Sequence, residues 1–177
     1  MNRPAMGTPL PFDPIAAAQR NWEDQGWTVE AAPMAAITAV MRAQQILLQR
    51  CEAVVKPFGL TFARYELLAL LGFSRTGSLP MVKVSALLQV HPTSVTNAVD
   101  RLERAGYVQR SPHPTDGRTT LVSLTERGRE VAERTTAELN SAVFSDPGFP
   151  PEDITALIRI LGRFREQAGD FAGSTPS

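Results

Sequence analysis

Between His91 and Arg118 the chain gathers short hydrogen-bonding side chains and arginines in a pattern suited to recognition rather than bond-making. Thr93, Ser94, Thr96 and Asn97 crowd the first turns of a helix-like run, and Arg101 follows one turn later. Side chains of this length near a helix N-terminus can reach the edges of base pairs in a major groove. His91-Pro92-Thr93 would place free backbone N–H groups at the positive end of that helix, which suits a phosphate, and His91 is placed either to cap the helix or to meet that phosphate. Further on, "PHPTDGR" combines two prolines with Asp-Gly, a hairpin-loop signal. Arg118 at its tip would fit a narrow minor groove, with Asp116 expected to orient it by a charge-assisted contact. Arg101, Arg104, Arg110 and Arg75 are candidates for phosphate contacts.

Catalytic patterns are missing from the sequence. It has no G-x-S-x-G, P-loop or G-x-G-x-x-G, and no paired carboxylates in a cleft-lining pattern, so no enzyme is expected. His91 and His113 each precede a proline, and a single cysteine without H-E-x-x-H or C-x-x-C supports neither a metal nor a cofactor. If His113 lies against a polyanion, its protonation would make binding pH-dependent. Cys51 falls on an apolar helical row, which favours a buried, inert thiol over a redox sensor. Lys+Arg and Asp+Glu stand at 18 each, so a polyanion binder would need its cations collected on one face.

The elements that must position these residues follow from periodicity. Residues 1–12 are proline-rich without an apolar run, which predicts a disordered N-terminus and no leader peptide. Asp13-Pro14 starts a helix over 13–26, with Ile15, Ala18 and Trp22 on one side. Over 33–57 Met34, Ile37, Met41, Gln44, Leu48, Cys51 and Val55 recur at spacings of three and four. With Val40, Leu47 and Val54 beside them, the stripe is broad enough to suggest burial against several helices, including another subunit's. Thr61 caps a helix with Leu67, Leu68 and Leu71 inward, and Arg75–Ser78 form a loop. A short helix over 81–89 buries Val84, Leu87 and Leu88, and the Thr93–Ala105 helix buries Val95, Val99 and Leu102 before Gly106 ends it. "YVQRS" and "TTLVSL" read as strands, and Thr125 caps a long helix through about Phe144 on a row of Val131, Thr135, Leu139 and Val143. After "DPGFPPED" a last helix carries Ile154, Leu157, Ile158, Leu161 and Phe164, and 170–177 is a flexible tail. No apolar run approaching the ~20 residues needed to cross a bilayer is expected, which predicts a soluble, cytoplasmic protein without a membrane partner.

Helix, helix, turn, helix, ribbon is the winged helix-turn-helix order. It gives a mainly α fold with a small two- to three-stranded antiparallel wing, and residues 61–124 as the lobe that would read DNA. Winged helices also dock proteins, and from topology that alternative stays open.

The stretch "SALLQVHPTSVTNAVDRLERAGYVQRSPHPTDGRTTLVSLTERGREV" resembles the core of the MarR family (multiple antibiotic resistance regulators). The matching residues are Val99-Asp100-Arg101-Leu102-Glu103, Gly106, Val108 and Arg110, then Asp116-Gly117-Arg118, then Leu124-Thr125 and Gly128. Gly117 departs from the second basic residue that many members carry, and the 13–26 helix is similar to an addition in urate-responsive members. The resemblance implies a homodimeric transcription factor, with 33–57 and 125–169 as dimerisation helices and a pseudo-palindromic DNA operator. Repression is the expected sense, with DNA affinity changed by a small aromatic or carboxylate effector. For the effector cleft it implies Trp22, Trp27, Arg42, Arg64, Tyr65 and Glu66, with Arg64 either holding a carboxylate or standing as a solvated or salt-bridged residue, and Trp22 either forming an aromatic wall or only docking its own helix. A redox sensor acting through Cys51 remains as a further alternative.

Overall fold

The computed structural model describes residues 9–172. Residues 1–8 of the expected N-terminal segment and 173–177 of the expected tail lie outside the described residues, and 9–12 form an exposed lead-in. Seven helices and three strands run in the order α1 (Pro14–Asp24), α2 (Thr28–Val55), α3 (Phe62–Phe73), β1 (Ser78–Pro80), α4 (Met81–Leu88), α5 (Pro92–Arg104), β2 (Val108–Pro112), β3 (Thr120–Leu124), α6 (Glu126–Leu139) and α7 (Pro151–Gln167). β3 lies between β1 and β2, antiparallel to both, with Leu79 opposite Val122 and Val108 opposite Leu124.

The caps follow from local chemistry. Asp13 Oδ1 accepts from the Ile15 N–H at 2.9 Å to start α1, and Thr125 Oγ1 accepts from the Gly128 N–H at 3.0 Å to start α6. Thr61 Oγ1 accepts from the Arg64 N–H at 3.4 Å at the head of α3. α2 starts at Thr28 rather than at residue 33 and runs through Pro33. Proline there forfeits one helical hydrogen bond, but the packing of α1 on this end, where the Trp22 and Trp27 rings meet edge-on at 5.3 Å, keeps the helix going. The expected loop at Ser78 is instead the first residue of β1, which is too short and too proline-bounded to announce itself.

One core serves the lobe and α6 together. Leu67, Leu68 and Leu71 of α3 meet Val84, Val95, Val99 and Leu102 of the helix-turn-helix, Val108 and Val122 of the wing, Leu139 of α6 and Val55 at the end of α2. The buried Thr135 hydroxyl donates to the Val131 carbonyl at 2.7 Å, which satisfies the one polar position in the α6 row. α6 then widens into a π-helical turn, Asn140–Phe144, that keeps Val143 buried. Arg50 of α2 pins the chain beyond it, donating to the Asp146 and Pro147 carbonyls at 2.6 and 2.7 Å.

Two of the apolar rows are not buried within the single chain. Ile37, Val40 and Met41 of α2 are exposed, and α7 buries no residue, with Ile158 at 71% and Phe164 at 64% exposure. Leu87 of α4, expected inside, is also exposed. By length and composition alone the 31-residue run Thr28–Phe58, which contains an 18-residue stretch of mean hydropathy 1.2, is apolar enough to cross a membrane, contrary to expectation. Yet Cys51 and Val55 at its C-terminal end are buried in the same core as α3 and α6, and Arg42, Arg50, Glu30 and Glu52 interrupt the run.

Among the glycines of the described residues the tightest approach is at Gly128. A Cβ there would stand 1.9 Å from the Tyr107 carbonyl oxygen, whereas one at Gly117 would meet nothing within 4 Å. Gly128→Ala should therefore cost about 3 kcal/mol or more in urea unfolding, since the clash is with backbone. Gly117→Ala should leave the midpoint nearly unchanged. Equal midpoints for the two variants would contradict this packing.

Candidate nucleic-acid interface

α5 turns its apolar side, Val95, Val99 and Leu102, into the core, and this fixes what faces outward. Ser94, Asn97, Arg101 and Arg104 are spaced by three and four and form one exposed stripe, with Thr93 and Thr96 flanking its start. His91 is the N-cap, its Nδ1 accepting from the Thr93 N–H at 3.2 Å, so the ring closes the helix end rather than hanging free. The Thr96 hydroxyl donates to the Pro92 carbonyl at 3.0 Å, which commits it to the first turn of α5. Ser94 and Asn97 are exposed and lead the stripe.

The wing is joined to α5 by Arg110. Its guanidinium pairs with Asp100 at 2.5 Å and with Glu103, and its backbone N–H donates to Glu103 Oε1 at 2.9 Å. Burial works against the charge, but the hydrogen bonds to Asp100 and then Glu103 outweigh it and hold the proton more tightly than in a free arginine. Arg110 was expected to reach phosphate; the structure instead turns it onto two carboxylates, as the tie between helix and ribbon. Asp100 and Glu103, the acids beside the α5 arginines, are thereby committed to that tie.

At the wing tip Asp116 also differs from expectation. Its carboxylate accepts from the Thr119 hydroxyl at 2.7 Å and from the Arg118 backbone N–H at 3.1 Å. It shapes the turn and does not hold the Arg118 guanidinium. These bonds, Thr119's foremost, keep the carboxyl below its usual range. The Asp116 carbonyl accepts the Thr119 N–H and the Thr119 carbonyl accepts the His113 N–H, both at 2.9 Å, so the tip is a closed loop with Arg118 exposed. His113 is half-buried and accepts from the Thr115 N–H at 3.3 Å. Arg75 is exposed on the turn between α3 and β1.

Of the residues expected to line an effector cleft, Trp22 and Trp27 meet ring to ring, but Arg42, Arg64, Tyr65 and Glu66 are not brought to them. Trp22 lines an open, apolar hollow of about 460 Å³ with Val29, Pro33, Met34 and Ile37. Arg42 bonds Gln45 along α2. Arg64 folds back on its own helix cap, donating to Thr61 Oγ1 at 3.1 Å and to the Gly59 carbonyl at 3.3 Å. Tyr65 is buried, its hydroxyl 3.0 Å from Thr136 Oγ1, tying α3 to α6, and Glu66 lies on the outer side of α3. A second cavity of about 360 Å³, which the sequence did not disclose, opens between α3 and α6 and is lined by Phe73, Leu124, Arg129, Glu133, Thr136 and Asn140 among others. Its residues come from α3, the end of β3 and α6 with the turn beyond it, elements too far apart in sequence to suggest a shared pocket. Cys51 is buried, and desolvation raises its thiol pKa despite the neighbouring Arg50, which leaves little reactive thiolate. Among the described residues no three His, Cys, Asp or Glu side chains cluster as a metal would require.

Comparison with known proteins places this geometry. A profile of the MarR family matches residues 60–120, from α3 to the wing. The fold superposes on Sco5413, a MarR family transcriptional regulator from Streptomyces coelicolor, with 52% identity and a TM-score of 0.72 over 79% of this chain and 97% of that one. It also superposes on Sco3205, a MarR family regulator from the same organism solved in complex with DNA, at 25% identity and a TM-score of 0.69 over 80% and 89% of the two chains. Among curated proteins, YhbI of Bacillus subtilis, an uncharacterized HTH-type transcriptional regulator, is 34% identical over 83 residues, which is 47% of this chain and 53% of that relative.

Asp116 offers a test in which charge and geometry predict opposite signs. Removing an acid from a phosphate-facing tip should tighten duplex binding if only charge matters, whereas loss of the turn should weaken it. Asp116→Ala is expected to weaken binding about three-fold or more, and Asp116→Asn, whose amide oxygen can still accept from the Arg118 N–H while its NH2 faces the Thr119 hydroxyl, to lose less. Fluorescence anisotropy at fixed salt decides, and tighter binding by the alanine variant would show that the turn does not hold Arg118 in place.

Proposed function

The chain belongs to the MarR family of transcriptional regulators, and from that premise we propose that it is a homodimeric repressor of pseudo-palindromic operators, working in the cytoplasm, with an affinity set by a small effector. The observation that carries the reading is the α5 stripe and the Arg118 tip held in one rigid body by Arg110. In it Ser94 and Asn97 reach base edges, the Thr96 methyl meets a thymine methyl, and Arg118 enters the flanking minor groove. Thr93, Arg101, Arg104 and Arg75 meet phosphate, with the N-terminus of α5 adding its dipole behind the His91 cap.

The open rows on α2 and α7 support the homodimer. Val29 at 80% exposure and Ile158 at 71% belong to rows that a lone chain would leave in water. Pairing them across a two-fold axis sets two recognition helices about one duplex turn, ~34 Å, apart. For the effector, the α3–α6 cavity combines the apolar wall of Phe73 and Leu124 with the guanidinium of Arg129. That chemistry suits a small aromatic carboxylate better than the scattered set Trp22, Arg42, Arg64, Tyr65 and Glu66.

Duplexes selected from a random pool, with and without small aromatic acids, test the reading directly. Arg118→Ala should weaken the selected duplex about ten-fold at matched salt, as a good arginine contact carries about 1–3 kcal/mol. Asn97→Ala should flatten base preference more than it lowers binding to unrelated DNA. Weak, sequence-indifferent binding in low salt would instead favour a protein-docking winged helix. Ile158→Glu combined with Phe164→Glu should yield monomers in sedimentation and lose operator binding; an unaltered dimer would rule out α7 as the interface.

A further inference from the structure

Gln89 is the only non-glycine with a positive φ among the described residues, at 54°, and it occupies the turn between α4 and α5. A helix-ending position of this kind ordinarily takes glycine, because a Cβ is strained in the left-handed region. Here the side chain has partners elsewhere. Its Nε2 donates to the Asp170 carbonyl at 2.9 Å, and its Oε1 accepts from Arg165 Nη2 at 3.1 Å, so both ends of the amide are held by the end of α7. Arg165 is itself fixed, its Nε donating to Asp170 Oδ2 at 2.5 Å and its guanidinium lying 5.4 Å from the centre of the Phe171 ring. The Asp170 N–H closes the arrangement on the Arg165 carbonyl at 3.0 Å.

We propose that Gln89, Arg165 and Asp170 form a latch through which α7 sets the pose of the recognition helix. Gln89 lies two residues before His91, the N-cap of α5, so a displacement of its amide is carried to the end of the helix bearing Ser94 and Asn97. α7 buries no residue of its own within the chain, so whatever covers its apolar row fixes where the latch stands. The inference rests on the proposed dimeric reading of DNA by α5 and makes these three residues positioning groups: they touch no base but determine how strictly the two recognition helices keep their separation.

The test uses the full-length protein and a duplex selected from a random pool, in versions with one or two base pairs inserted between the half-sites and as a single half-site. The wild type should lose about ten-fold in affinity for each inserted base pair, given the fixed separation of the helices. In Arg165→Ala and in Gln89→Gly, whose glycine keeps the left-handed turn, that penalty should fall to about three-fold or less while single half-site affinity stays within about two-fold. Arg165→Lys, which can still donate to Gln89, should recover part of the penalty. Faster amide hydrogen exchange across the α4–α5 turn in Arg165→Ala would report the same release without DNA. An unchanged spacing penalty and unchanged exchange would overturn the latch, as would half-site affinity falling in step with the full site. A wild type indifferent to spacing would overturn the dimeric reading beneath it, and the latch with it.

Discussion

Three backbones converge where no side chain fits, and the architecture turns on that point. The end of α5, the root of the wing and the head of α6 meet around Gly106, Tyr107 and Gly128. Thr125 Oγ1 donates to the Gly106 carbonyl at 2.7 Å, and the Thr125 N–H donates to the Tyr107 carbonyl at 3.1 Å. Gly128 lies so close to that same carbonyl that any Cβ would be excluded. Arg127 lies across the Tyr107 ring at 5.2 Å from its centre. The sequence pattern linking Gly106 to Leu124-Thr125 and Gly128 is thus a statement about steric room. It welds α5 and the wing to the long helix behind them, and the shared core from Leu67 to Leu139 extends the weld through the lobe.

Given that weld, an evenly charged chain can still present a basic face. What matters is where each acid is committed. Asp100 and Glu103 are taken up by Arg110, and Asp116 is turned into its own loop. The outward arginines on α5 and the wing tip are left to act on an approaching polyanion, and at physiological salt only charges within ~8 Å of it count fully. Total charge, 18 against 18, averages over a surface that no partner meets at once.

Helices and caps were legible in the sequence because their causes are local: Asp13, Thr61 and Thr125 each sit one residue before a periodic run, and each caps as that position demands. The outward side of α5 was legible for the same reason, since burying Val95, Val99 and Leu102 leaves Ser94, Asn97 and Arg101 no other direction. What sequence could not supply were choices between partners. Arg110 had phosphate, solvent and two acids to choose from, and proximity in the fold decided. Arg64 and Tyr65 were assigned to a cleft but were claimed by a helix cap and by Thr136. The three residues of β1 gain strand geometry only from β3 beside them, and α2 passes Pro33 because α1 packs there. Periodicity named the apolar rows of α2 and α7 correctly but could not say which lie inside one chain.

A lobe built this way restricts how any signal reaches its DNA-facing surface. The helix-turn-helix, the wing and α6 share a core without a break, so local melting of α5 would disturb Leu67, Leu68 and Leu71 at once and forfeit much of the fold's stability. Movement of α7 against that body disturbs far less, because α7 buries no side chain and the bonds at its two ends are polar: Arg50 on the Asp146 and Pro147 carbonyls, and Gln89 on Arg165 and Asp170. Hydrogen bonds of this exposed kind are individually worth about 1 kcal/mol and re-form at modest cost, unlike packed side chains. The physical cost of motion therefore falls where the chain leaves the shared core, at the two ends of α7, and it is there that a change in the pose of α7 relative to α5 is cheapest to set.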